Sequence, residues 1–139
     1  MFHKIMVAYD GSPEASRALQ VAIDLARATG ADLGLVTVLE PLPSYYSFAA
    51  SAASVLDWRE NSRARCLQLQ ARARRRAAAA GLYLDTDLIS GNKVGGILEC
   101  TRRYQSDLLV VGMRKHTWLR DGTAKELTEY APCALLRVR

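Results

Sequence analysis

Apolar residues along this chain gather into short runs and longer helical stripes, and the two kinds alternate. His3 to Tyr9 (HKIMVAY) is an apolar run rich in β-formers, and it predicts a buried strand. It stops at Asp10-Gly11-Ser12-Pro13. Ser12 suits an N-cap there, and Pro13 suits the first helical position, where its missing N–H would have no partner anyway. Ala15, Leu19, Ala22 and Ala26 then recur at helical spacing up to about Thr29, with Gly30 as the stop. Leu33 to Leu39 predicts a second strand. Glu40 to Ser54 predicts a long connection, which carries Pro41, Pro43, Tyr45, Tyr46 and Phe48; connections of that length are usually functional or mobile. From Val55 through Trp58, Ser62, Cys66, Leu69, Ala73, Ala77 and Ala80 the chain advances in steps of three and four. This is one face of a long helix that Gly81 ends.

Leu82 to Ile89 alternates apolar and polar residues, as a half-exposed outer strand does. Gly91-Asn92 turns the chain into a helix from about Val94 to Tyr104. Asp107 to Val111 is a buried fourth strand, a short helix starts near Thr123, and Cys133 to Val138 is the last strand. Five strands alternating with four helices predict one α/β domain over residues 1–139, an open and mostly parallel sheet with helices on both faces.

Composition adds little to that frame except at one place. Net charge is +5, and the excess is concentrated between Arg59 and Arg76, where seven arginines fall. A basic stripe can bind a phosphate backbone, but no aromatic residues are interleaved to stack on bases. The stripe is therefore read as the solvated face of the long helix, and nucleic acid is not expected as a partner. Cys66, Cys100 and Cys133 show no metal spacing and are expected to be reduced core residues. No run approaches the ~18 apolar residues of a membrane span, and the start lacks the pattern of a signal peptide. The expected location is the cytoplasm, with no membrane partner.

In such sheets, ligands bind beyond the carboxyl ends of the strands, where strand order reverses. Asp10-Gly11-Ser12, Val38 to Pro41 and Gly112 to Thr123 all meet that description. Asp10 is either an acceptor for a ribose hydroxyl or simply a turn-forming residue before Gly11. Thr123 and Glu126 have the spacing of a capping box, so a helix N-terminus behind Gly122 could cap itself or face a phosphate. Arg114, Lys115, His116 and Arg120 add positive charge nearby, while Asp121 opposes it.

Three stretches together resemble the universal stress protein family. They are Val7-Ala8-Tyr9-Asp10-Gly11-Ser12 with Ser16, Ala18 and Leu19, then Asp107 to Gly112 (DLLVVG), and finally Ala131 to Leu136 (APCALL). The resemblance implies a Rossmann-like five-stranded parallel sheet in the order 3-2-1-4-5 and a homodimer through the C-terminal strand, Cys133 to Val138. It also implies an ATP or other adenine-nucleotide site in many members. On this chain that site would place Asp10 near the ribose and Val38 near the adenine. Gly112, Met113, Gly122 and Thr123 would lie by the phosphates. ATP-binding members carry Gly, two residues, Gly, nine residues, then Gly-Ser or Gly-Thr. Here Lys115 stands at the second glycine, and Gly122-Thr123 arrives three residues early.

The reading adopted is a dimeric stress-response or regulatory protein that is not a strong ATP binder and has a protein partner. The alternative is a nucleotide-binding stress-signalling module using the same cleft. An enzyme is not expected. His3 and His116 are the only histidines, no Ser-His-Asp or Cys-His arrangement is evident, and there is no G-x-x-x-x-G-K-S/T loop. Slow ATP hydrolysis is left open.

Overall fold

The computed structural model describes residues 1–41, 51–113 and 122–139. Its strands are β1 (Lys4–Ala8), β2 (Asp32–Leu39), β3 (Leu84–Ser90), β4 (Leu108–Gly112) and β5 (Ala134–Val138). The helices among these residues are α1 (Pro13–Thr29), α2 (Ala52–Ala79), α3 (Lys93–Arg103) and α4 (Gly122–Tyr130). All four strand pairings are parallel, and the sheet runs β3-β2-β1-β4-β5, as the sequence led us to expect.

Local chemistry explains most element ends. Ser12 Oγ accepts the Ala15 N–H at 3.1 Å and Pro13 opens α1 behind it. Gly30, at φ 72°, closes the helix by donating its N–H to Ala26 O, a left-handed conformation that glycine adopts without steric cost. Asn92 caps α3, its Oδ1 accepting the Gly95 N–H at 3.0 Å. At the amino ends of β1 and β4, the Asp107 carboxylate accepts the N–H groups of His3 at 2.7 Å and Lys4 at 3.0 Å. Burial pushes this carboxyl upward, but those backbone hydrogen bonds outweigh it and hold it below the ordinary carboxylate range.

Two apolar layers sandwich the sheet. Ile5, Val7, Leu33, Leu35, Leu108 and Val110 face α1 and the second half of α2, packing on Leu19, Ile23, Ala73 and Ala77. Met6, Val36, Leu109 and Val111 face the other way, onto Val94, Ile97 and Leu98 of α3 and Leu127 of α4. The alternation along each central strand produces both layers at once.

Several expectations need correction. Helix α2 begins at Ala52, so the connection from β2 is shorter than 40–54. Ser51 is its cap, accepting the Ser54 N–H at 3.2 Å, a role hidden among the Ala and Ser residues around it. Pro43, Tyr45, Tyr46 and Phe48 lie outside the described residues. Helix α4 starts at Gly122, which puts Thr123 inside its first turn instead of before it. Strand β5 starts one residue after Cys133. Of the cysteines, all free, only Cys100 is fully buried; Cys66 and Cys133 are half-buried.

Candidate functional site

Where β1 gives way to the Asp10 turn, a cleft of about 550 Å³ opens over the carboxyl ends of β1, β2 and β4. Asp10, Val38, Gly112 and Met113 all line it, so four of the six residues singled out from the sequence share one rim. Gly122 and Thr123 open α4, whose Leu127 reaches the same cleft. Arg114, Lys115, His116, Arg120 and Asp121 lie outside the described residues.

Asp10 serves the turn, because its Oδ1 accepts the Ser12 N–H at 2.9 Å. Val38 packs its side chain against α3. A Cβ added to Gly96 of α3 would come within 3.1 Å of Val38 Cγ2, so the two are packed in contact. Its peptide groups are placed differently. Val36 O accepts the Tyr9 N–H at 2.9 Å, which fixes the β1 side of β2. Peptide groups two residues apart on a strand point the same way, so Val38 aims its N–H and C=O into the gap that β1 has left. No backbone partner meets them among the described residues.

Gly112 has a steric reason to be glycine before any ligand is considered. A Cβ there would fall 2.5 Å from Glu14 C and 2.6 Å from Glu14 O, both backbone atoms that cannot swing aside. The end of β4 thus packs directly on the first turn of α1. Met113 is tied to the last strand: its N–H donates to Val138 O at 2.7 Å, and Arg137 Nε donates to its sulfur at 3.2 Å.

The sequence did not point to the walls that α2 and α3 supply. Trp58, Ser62, Arg65, Cys66 and Leu69 of α2 overhang one side, and Lys93 at the start of α3 closes another. Composition groups Arg65 with the solvated arginines, yet it points to the cleft, and neither it nor Lys93 forms an ion pair among the described residues. Set against them are Asp10, Glu14 and Glu40. The described walls are therefore no more positive than negative. Burial raises the Cys66 thiol, with Arg65 opposing, so it is not an activated thiolate. Thr37, on the floor, is buried at 3 % exposure.

An open parallel sheet with a cleft at its point of strand reversal belongs to the Rossmann-like α/β class. Within that class, the universal stress protein family model matches residues 1–139, and the chain belongs to this family. A Thermus aquaticus protein, named as a universal stress protein in the QAH/OAS sulfhydrylase 3' region, is 33% identical over 147 residues, covering all of both chains. The solved UspA of Lactobacillus plantarum superposes with a TM-score of 0.81 at 18% identity, over 99% of this chain and 97% of its own. A universal stress protein solved in complex with cAMP superposes with a TM-score of 0.76 at 25% identity, over 99% of this chain and 97% of its own.

Proposed function

We propose that the chain is a homodimeric stress-response protein that takes an adenine nucleotide in this cleft, held by base and ribose more than by a triphosphate. The Val38 peptide group carries the reading. An N–H and a C=O side by side match the edge of adenine, where an amino donor adjoins a ring-nitrogen acceptor. Asp10, at the end of the neighbouring strand, suits ribose hydroxyls. The relative with cAMP supports a ligand of this class.

The phosphate end is where this chain departs from its ATP-binding relatives. Lys115 replaces a glycine, the segment to Gly122 is three residues shorter, and the described walls carry as many carboxylates as cations or more. A triphosphate then gains little over a monophosphate. Isothermal titration of the purified protein should give ATP and AMP affinities within about tenfold of each other, a difference of about 1.4 kcal/mol. Absence of saturation by either at millimolar concentration would overturn the nucleotide reading. ATP binding a thousandfold tighter than AMP would overturn the weak phosphate cradle. We propose binding without designed turnover, since the described lining offers no nucleophile paired with a base.

The dimer would form through β5. It is an outer strand paired on one side with β4, and its half-buried Leu135, Leu136 and Val138 leave apolar surface for a second copy to cover. Light scattering at micromolar protein should return twice the chain mass, and a monomer mass would remove this part of the proposal. A second reading, a partner-binding protein that needs no nucleotide, is favoured by the exposed Leu56 and Leu67 on α2. Nucleotide co-purifying in stoichiometric amount would count against it.

A further inference from the structure

We propose that the Thr37 hydroxyl is a hydrogen-bonding partner for the base-and-ribose end of the bound nucleotide. The inference rests on the nucleotide reading above and adds a residue to it.

Thr37 occupies an inward position of β2, in line with Leu33 and Leu35 beneath the α1 and α2 layer. It is buried at 3 % exposure, and its Oγ1 has no hydrogen-bond partner among the described residues. Two other buried polar side chains are satisfied. Thr101 Oγ1 donates to Ile97 O at 2.6 Å, and Gln70 Nε2 donates to Asp87 O at 2.7 Å. Ser106 Oγ is the other orphan among the described residues, but it stands before β4, at the opposite end of the sheet, and lines no part of the cleft. Valine has nearly the shape of threonine and the same liking for strands, so packing alone gives no reason for an unpaired hydroxyl in a wall of Leu and Val. Thr37 is also the one fully buried polar residue among the described cleft lining, and a hydroxyl can either donate to a ring nitrogen or accept from an amino group.

Sheet order decides which end of the ligand it meets. β2 and β4 flank β1, so Thr37 lies two strand spacings, about 10 Å, from the strand that ends at Gly112. It is the neighbour of Val38 on the base side of the rim and is remote from the segment beyond β4.

Calorimetric titration with AMP and with ATP, on the parent, Thr37→Val and Thr37→Ser, tests this together with thermal unfolding of each in the absence of nucleotide. Thr37→Val should bind both nucleotides about five- to tenfold more weakly and, freed of the orphan hydroxyl, melt about 2–5 °C higher. Thr37→Ser keeps the hydroxyl and should stay within about threefold of the parent. Unchanged affinity in Thr37→Val, with the parent still binding, would sink this proposal while leaving the nucleotide reading intact. A loss seen with ATP alone would also overturn it, because the contact would then belong to the phosphates. A lower melting temperature for Thr37→Val would overturn the premise that the hydroxyl is unpartnered in the free protein. A parent that binds neither nucleotide would overturn the functional reading itself, and this inference with it.

Discussion

The two halves of α2 share one helix and live under different constraints. From Gln70 to Ala79 it is fastened to the sheet. Ala73 and Ala77 are buried, Gln70 donates to Asp87 O, Arg74 Nη1 donates to Thr86 Oγ1 at 2.7 Å, and Arg76 reaches across to Ser16 Oγ at 2.8 Å and Gln20 Oε1 at 2.9 Å on α1. From Ala53 to Leu69 no residue is fully buried, and Trp58, Ser62, Cys66 and Leu69 are only half-buried where they line the cleft. One half is scaffold and the other is wall. A continuous helix lets the fixed half hold the overhanging half in place, so the wall needs no core of its own.

Substitutions in each half would break or sharpen this contrast. Ala77→Glu places a carboxylate where exposure is 0 %, and urea unfolding should report a loss of about 3 kcal/mol or more. A loss under about 1 kcal/mol would mean that the fastened half is not packed as described. Gln70→Ala strands the Asp87 carbonyl and should cost about 1–2 kcal/mol in the same assay. Leu56→Lys, on the overhang at 58 % exposure, should stay within about 0.5 kcal/mol of the parent. Destabilisation there as large as at Ala77 would erase the distinction between the halves.

Much of the scaffold half was legible in the sequence, because burial writes a period. Ala73, Ala77 and Ala80 continue a clean helical stripe, and the alternating central strands could face only two layers. The wall half was less legible for the same reason. Trp58, Ser62 and Cys66 kept the spacing of a core stripe, yet they border open space, and periodicity alone does not separate a core from the roof of a cleft. Arg65 was hidden among neighbouring arginines, since composition says nothing about which side of a helix meets a crevice. Thr37 did leave a signal, a lone hydroxyl in the apolar run of β2, but threonine is so ordinary in strands that its inward register had to be seen. Asp10, Val38, Gly112 and Met113 could be read in advance because a parallel sheet brings strand ends to one rim whatever fills it. Residues 114 to 121, where the sequence led us to expect an altered loop, lie outside the described residues.

Contact between Gly112 and the Glu14 peptide fixes one jaw of the cleft at the level of main chain against main chain. A gap set by side chains can be retuned by a rotamer change, whereas this one can widen only if a strand and a helix part. The spacing between the end of β4 and the first turn of α1 is therefore set by main chain and survives changes in the side chains around it. A designer wishing to reshape this cleft would leave Gly112 alone and work on the side chains around it.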